Sequence, residues 1–245
     1  MARVLMPLPD RDFDPTESAV PWKVLTRAGH EVVFATEGGA VAACDPLLID
    51  GVIFGQLGAK EEPKRLYAEL AASRAFLAPI TWEAIEAGDY DALLLPGGHA
   101  QGMKPYLESD RLQQKVALFA RTGRPMAAIC HGVLVAARAR DPETGKSVLY
   151  GRKTTCLPAY MERTAYALTA WKLGRYYRTY DAYVEDEVKA ALEDPSHFVR
   201  GPITLTTHGT DDKDDGAFVV EDGAFVSARW PGDAYLFAKK LLARL

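Results

Sequence analysis

The sequence has few cysteines and lacks the residue spacings that hold a structural or protease-type metal ion. Its 245 residues include only three cysteines, Cys44, Cys130 and Cys156. An odd and sparse number argues against a disulfide framework and favours a reducing compartment. Neither a CxxC nor an HExxH spacing occurs, so we expect no metal site.

Long apolar runs and long basic runs are also missing. No apolar stretch reaches the about 18–20 residues needed to cross a bilayer, and the N-terminal segment lacks the apolar core and cleavage site of a secretory signal. The net charge is −4, without a long basic run, so nothing indicates binding to nucleic acid or to anionic membranes. We therefore expect a cytoplasmic protein that binds neither nucleic acid nor a membrane.

What the sequence does contain is an alternation of short apolar runs and helical patterns. Apolar runs at residues 2–6, 31–36, 92–96 and 125–129 predict buried strands with helices between them. Repeated strand–helix units indicate an α/β fold with a doubly wound, mostly parallel sheet flanked by helices. No internal repeat or linker is visible, so we expect a single domain over residues 1–245.

Two stretches fit the alternation less well. Residues 40–85 and the charged, tyrosine-rich residues 173–200 are interpreted as insertions or a small cap. Residues 152–157 predict one more strand, and the segment FVVEDGAFVSAR predicts a hairpin around Asp222 and Gly223. We expect a final amphipathic helix at the end of the chain.

The segment RPMAAICHGVLVAARA places Cys130 where a buried strand turns sharply into a helix. Such a nucleophile elbow presents a side chain at the carboxyl edge of the sheet, where α/β proteins place their sites. A helix N-terminus favours a thiolate, so the pattern predicts a lowered pKa for Cys130. Gly132 removes side-chain bulk near the turn. The alternative is a buried core cysteine, as most cysteines are.

Further candidate groups follow other strand ends. Gly97, Gly98 and His99 come directly after a buried strand, and glycines allow N–H groups to approach a ligand. The N–H groups of Gly98 and His131 could face an oxyanion near the thiol. The His131 side chain is a candidate base, and Glu17 could donate a hydrogen bond to the sulfur. The alternative for residues 97–99 is an ordinary turn. The alternative for His131 is a solvent-facing histidine, and that for Glu17 is an acid in the first turn of a helix.

The motifs AICHG and LLLPGGH, with the early PTE glutamate, resemble the ThiJ/PfpI superfamily of class I glutamine amidotransferase-like folds. The resemblance covers nearly the whole chain, and DPETGKSVLYGRKTT is similar to its glyoxalase III/chaperone branch. It implies a triad of Cys130, His131 and an acid that follows RKTTCL. Glu162 is the best positional match and Asp181 a weaker one. Gly97, Gly98, His99 and Gly132 are the implied oxyanion or substrate-binding residues. The resemblance also implies a small-molecule substrate as the partner and a homodimer.

The resemblance implies three kinds of function. The first is glyoxalase III-type conversion of methylglyoxal to lactate without glutathione, or a related deglycation, with no metal or organic cofactor. The second is a cysteine amidase or peptidase of PfpI type that forms an acyl intermediate on the same thiol. The third is a stress-responsive holdase chaperone or redox sensor, because an exposed reactive thiol is readily oxidised.

Overall fold

The computed structural model describes residues 1–54 and 56–245. The strands are β1 Arg3–Pro7, β2 Arg11–Phe13, β3 Glu31–Thr36, β4 Ala43–Cys44, β5 Ile80–Thr81, β6 Ala92–Leu95, β7 Met126–Ile129, β8 Val219–Asp222 and β9 Phe225–Ala228. The helices are α1 Pro15–Arg27, α2 Pro46–Asp50, α3 Glu61–Ala71, α4 Arg74–Leu77, α5 Lys104–Glu108, α6 Asp110–Ala120, α7 Gly132–Arg138, α8 Ala159–Leu173, α9 Val184–Ala191 and α10 Ala234–Leu242.

Seven of these strands form one sheet, in the order β5-β3-β1-β6-β7-β9-β8. Every neighbouring pair in it is parallel except β8 and β9, which form the predicted antiparallel hairpin. The runs ALLL in β6 and MAAI in β7 are buried along their whole length, as expected for central parallel strands covered on both faces. The predicted α/β class, with a mostly parallel sheet flanked by helices, is confirmed.

Two groups of helices pack on the sheet. Helix α1 contacts α3 and α10, whereas α7 contacts α5, α6 and α9. Helix α1 begins directly after strand β2, and helix α7 begins at the turn that follows strand β7. Their N-termini therefore lie at the same edge of the molecule, where the candidate site residues are found.

The strand predicted at residues 152–157 is wrong. Thr154 forms only an isolated bridge with Phe198, and the polar groups of Thr154 and Thr155 bond to the Ser227 hydroxyl at 3.1 and 2.9 Å. The β-branched residues of this segment thus pack beside β9 through side-chain contacts instead of extending the sheet.

The two predicted insertions contain defined elements. Residues 40–85 contain β4, β5 and helices α2 to α4, and β4 pairs with β2 in a second, two-stranded sheet. Gly55, inside this stretch, lies outside the described residues. Residues 173–200 contain α9, and their division from the main domain stays a prediction. Within the described part of the chain, no helix is long and apolar enough to cross a membrane.

Candidate active site

Cys130 occupies the turn between β7 and α7 in a conformation that is unusual for a residue with a side chain. Its φ is 58°, in the left-handed region that non-glycine residues seldom adopt. The backbone N–H of Cys130 donates to the carbonyl of Ala228 at 3.1 Å, which ties the turn to β9. Strain of this kind is typical of a functional turn that holds one side chain in place.

Gly132 is required by packing at this turn. A Cβ atom built at Gly132 would lie against the carbonyl oxygen of Leu95 and 2.6 Å from that of Pro96. Because both neighbours are backbone atoms, the first residue of α7 can approach the end of β6 only when it has no side chain. Its role in this structure is therefore to place the start of α7 close to the loop that follows β6.

Glu17 lies beside the thiol from the first turn of α1. Asp14 caps this helix by accepting from the backbone N–H groups of Thr16 and Glu17, and the Glu17 side chain is fully buried. Its Oε2 accepts from the N–H of Gly97 at 2.9 Å, whereas Oε1 has no partner at hydrogen-bond distance among the described residues. Burial raises the pKa of Glu17 well above its usual range, and the nearby Asp14 charge adds to the shift.

A protonated Glu17 therefore has one hydroxyl available. Its carboxyl lies close enough to Cys130 for each group to shift the pKa of the other, and Oε1 is the oxygen that Gly97 leaves free. The sequence-based role of Glu17, donation to the sulfur, is compatible with this arrangement.

His131 connects the thiol to a residue that the sequence did not single out. Its Nδ1 lies 3.7 Å from the Cys130 sulfur, and its Nε2 lies 3.4 Å from the Thr179 hydroxyl oxygen. The Thr179 hydroxyl donates to the carbonyl of His99 at 2.7 Å, so its lone pairs remain to accept from His131 Nε2. That places the imidazole proton on Nε2 and leaves Nδ1 free to accept the thiol proton.

The charge state of this pair differs from the prediction. Cys130 is only 3% exposed. Burial raises the pKa of its thiol well above the usual range, and Glu17 or Asp14 would raise it further when ionised. Burial also lowers the pKa of His131 well below its usual range. The direction of the thiol pKa is therefore opposite to the predicted one, and burial favours a neutral thiol beside a neutral imidazole.

The loop after β6 and the start of α7 contain the N–H groups predicted as oxyanion donors. The N–H of Gly97 is occupied by Glu17. Gly98 has a φ of 148°, which favours glycine, and the N–H groups of Gly98 and His131 donate to no backbone carbonyl of the described residues. The N–H of His131 also interacts with the Cys130 thiol, and the oxyanion role of the Gly98 and His131 N–H groups stays a prediction. Gly97 acts by holding Glu17.

His99 lies between His131 and a tyrosine. Its ring centroid is 5.8 Å from that of His131, with the planes inclined by 30°, and 4.7 Å from that of Tyr177. Its Nδ1 is buried without a hydrogen-bond partner among the described residues. Burial lowers the pKa of His99 to about 4, so this second imidazole is also neutral near pH 7.

Residues 174–183, which we call the strap, close this side of the site. The hydroxyls of Tyr176 and Tyr177 donate to Asp45 at 3.0 and 2.8 Å. The Gln101 side-chain amide donates to a strap carbonyl, that of Arg178, at 2.6 Å. Together with the bond from Thr179 to the His99 carbonyl, these bonds hold the strap against the site.

The structure does not bring Glu162 to His131. The Glu162 carboxylate pairs with the Arg178 guanidinium at 2.7 Å and accepts from the N–H of Val184 at 3.2 Å. The weaker candidate, Asp181, is 92% exposed and pairs with Arg175. Among the described residues neither candidate acid is hydrogen-bonded to His131, and the Thr179 hydroxyl lies beside its Nε2 instead. Among the described residues, no group of three or more His, Cys, Asp or Glu side chains could hold a metal ion.

Known proteins resemble the chain over nearly its whole length. A family model described as ThiJ/PfpI family-like matches residues 8–202. An uncharacterized protein of Schizosaccharomyces pombe is 29% identical over 242 residues, covering 96% of this chain and 80% of that protein. The deglycase PfpI of Pyrococcus furiosus is 25% identical over 240 residues, covering 96% of this chain and 94% of that protein.

The same relationship is seen in three dimensions. Glyoxalase III of Candida albicans has a solved structure that aligns with a TM-score of 0.70 at 21% identity, covering 100% of this chain and 97% of the other. At that identity the structural alignment shows only that the fold is shared. Membership of the family is shown by the match of the family model to residues 8–202. The chain therefore belongs to the ThiJ/PfpI family, in the branch that includes deglycases and glyoxalase III.

Proposed function

We propose that the protein converts small 2-oxoaldehydes such as methylglyoxal to 2-hydroxy acids such as lactate, without glutathione, using Cys130 as the nucleophile. The observation that carries this proposal is the arrangement at the turn: a strained Cys130 with His131 Nδ1 at 3.7 Å from its sulfur. The deglycase and glyoxalase relatives support chemistry on reactive carbonyls.

The first step is attack of the sulfur on the aldehyde carbon, C1. The S–C1 bond forms while the thiol proton passes to Nδ1 of His131, because the thiol is protonated at rest and the imidazole is neutral. The C1 oxygen gains the carbonyl electron pair and is stabilised by the N–H groups of Gly98 and His131. It then takes the proton back from His131, which gives a neutral hemithioacetal. A protonated Glu17 holds the sulfur during these changes.

The second step moves a hydrogen from C1 to C2. His131 removes the C1 proton, the electron pair forms a C1–C2 double bond, and the ketone oxygen on C2 takes up a proton to give an enediol. His131 then returns its proton to C2 while the C1 oxygen loses one, and the product is a thioester. Water hydrolyses the thioester and returns the thiol, so methylglyoxal and water yield lactate.

Burial of the reactive residues favours small substrates. Cys130 is 3% exposed, and both Glu17 and His131 are fully buried. An extended peptide could reach such a sulfur only after the strap had moved away, so we place the cysteine amidase or peptidase activity second. Related deglycation would use the same attack on a small glycated carbonyl compound.

The chaperone alternative has one observation in its favour. Phe54 and Trp171 are 85% and 67% exposed, and Lys172 lies over the Phe54 ring, so apolar side chains gather at the end of α8. Such a surface could bind unfolded chains or a second copy, and the expected homodimer stays a prediction.

A redox-sensor role is less favoured because a raised thiol pKa slows oxidation. All three cysteines are unpaired in the described structure, which supports the proposed cytoplasmic location.

The test is turnover of methylglyoxal by the purified protein in the absence of glutathione. We expect stoichiometric lactate from the natural protein and none above background from Cys130→Ser, with Cys44→Ser as the matched control that keeps full activity. Lactate formation that survives Cys130→Ser would reject the proposal. Turnover of peptides or amides, with methylglyoxal inert, would favour the hydrolase instead.

A further inference from the structure

His99 contains a buried polar atom that the mechanism above does not use. Its Nδ1 is sealed from solvent and has no hydrogen-bond partner among the described residues. Leaving such an atom unpaired is unfavourable, and buried polar atoms without partners are uncommon in native proteins. An atom of this kind inside a candidate active site is therefore a position at which a ligand can complete the hydrogen bonding.

The ring of His99 is held in a defined position. Thr179 donates to its backbone carbonyl at 2.7 Å, and the Tyr177 ring packs against it with centroids 4.7 Å apart. Tyr177 is itself fixed by its hydrogen bond to Asp45 at 2.8 Å. An imidazole supported from both sides is preorganised, as a group that contacts a substrate must be.

The two imidazoles of the site cannot carry the same role. His131 has a ring nitrogen near the sulfur, Nδ1 at 3.7 Å, whereas no such contact is seen for His99 in the described part of the chain. A positive charge on His99 further lowers the pKa of His131, so protonation of both rings at once is disfavoured. His99 therefore enters the step neutral, and a neutral imidazole can polarise a carbonyl oxygen by donating from its ring nitrogen.

We propose that Nδ1 of His99 binds the ketone oxygen of the substrate and passes a proton between its two oxygens, which makes the site selective for vicinal dicarbonyl compounds. This inference rests on the proposed glyoxalase-type function and adds a catalytic residue to it. A single-carbonyl substrate such as an amide has one oxygen, which the N–H groups proposed above as oxyanion donors would bind. A second donor becomes useful only when a second oxygen gains charge, as in an enediol.

The proton balance of the step is closed. When His131 removes the C1 proton and becomes an imidazolium, the ketone oxygen on C2 gains an electron pair and takes the Nδ1 proton of His99, which is left for the lifetime of the enediol as an imidazolate. As the enediol collapses to the thioester, the C1 oxygen forms its carbonyl bond and gives its proton to the same nitrogen. His99 ends neutral, as it began, and the substrate has only exchanged hydrogen positions.

The test compares His99→Ala with His99→Asn. The side-chain nitrogen of asparagine is separated from Cα by the same number of bonds as Nδ1 of histidine, so it can occupy nearly the same position. We expect kcat for methylglyoxal to fall about 100-fold in His99→Ala, in the range typical of a lost acid or base, with KM changed less than about threefold. His99→Asn should recover about tenfold of that loss. His197→Asn is the matched control, because its Nδ1 is also buried and unpartnered while its backbone bonds to Thr154 and Asp194.

One further measurement, the alkylation rate of Cys130, separates the outcomes. Alkylation of Cys130 by iodoacetamide should proceed within about twofold of the natural rate in both His99 variants, since neither removes the His131 base. If the natural protein turns over methylglyoxal and His99→Ala has the same kcat, this inference is overturned but the proposed function is not. Equal losses in both variants, together with altered alkylation, would mean a structural role and also overturn it. An inactive natural protein rejects the proposed function and this inference with it.

Discussion

The thiol turn and the strap meet at His131, but they are built in different ways. The turn depends on backbone geometry: Cys130 at a φ of 58°, and Gly132 packed against the carbonyls at the end of β6. The strap is held by side-chain hydrogen bonds, among them those of Tyr177 to Asp45 and of Thr179 to the His99 carbonyl. The turn therefore sets which atom reacts, and the strap sets how the base is oriented and what can reach it.

This difference predicts unequal effects of substitution. Loss of a group at the turn removes a chemical step, whereas loss of one strap contact leaves others in place. The following variants test that division, beginning with the largest expected effect.

Replacing His131 with asparagine should lower kcat for methylglyoxal about 1,000-fold. The variant removes the nitrogen that accepts the thiol proton and the C1 proton, and general bases contribute about 100- to 10,000-fold. Steady-state kinetics on His131→Asn provide the measurement, with His208→Asn as the control because His208 packs against Trp230. A loss smaller than about tenfold would show that the turn does not depend on this base.

The alkylation rate of Cys130 should rise about tenfold for each pH unit between pH 7 and 9. Burial raises the pKa of the thiol, so the thiolate is the minor form over this range and its fraction grows with pH. Iodoacetamide labelling followed by mass spectrometry of the Cys130 peptide gives the rate, and the peptides of Cys44 and Cys156 are internal controls. A rate that is already constant above pH 7 would mean that the helix N-terminus outweighs burial.

Removing the Thr179 hydroxyl should lower kcat about tenfold. In Thr179→Val the Nε2 of His131 loses its partner at 3.4 Å, so the imidazole no longer favours the form with a free Nδ1. Thr179→Ser keeps the hydroxyl and is expected to retain most of the activity. Equal kinetics for the valine and serine variants would remove Thr179 from the account of base orientation.

The smallest effect on turnover is expected for Glu162→Gln. Its carboxylate holds Arg178 in the strap at 2.7 Å, and the neutral amide holds it more weakly. We expect kcat to stay within about threefold while Cys130 becomes alkylated several-fold faster. A fall in kcat of about 100-fold or more would instead support the triad role that the family resemblance implied, and Asp181→Asn is the exposed control.

The turn was predictable from the sequence because its chemistry is local. A buried strand followed at once by Cys-His-Gly identifies the elbow, and the glycines after β6 mark a loop at the same sheet edge. Glu17 could be selected because helix α1 starts at that edge. These inferences need only the order of neighbouring residues and the rules of parallel sheets.

The strap was not predictable in the same way. Thr179 stands beside His131 because distant residues, Asp45 and Gln101, bind the strap, and no local pattern encodes that approach. The thiol pKa was mispredicted for a related reason, since a helix N-terminus can be read from sequence but the burial of Cys130 cannot. Glu162 has a suitable position in the sequence, but in the structure its carboxylate is paired with Arg178 of the strap.

The central claim is that Cys130 forms a covalent intermediate during turnover. The most direct measurement mixes the protein with methylglyoxal, quenches with acid at short times and examines the Cys130 peptide by mass spectrometry. The account predicts a lactoyl thioester on Cys130 that forms and decays at rates able to support turnover. Steady lactate production with no adduct on Cys130, or with the adduct on another residue, would contradict it.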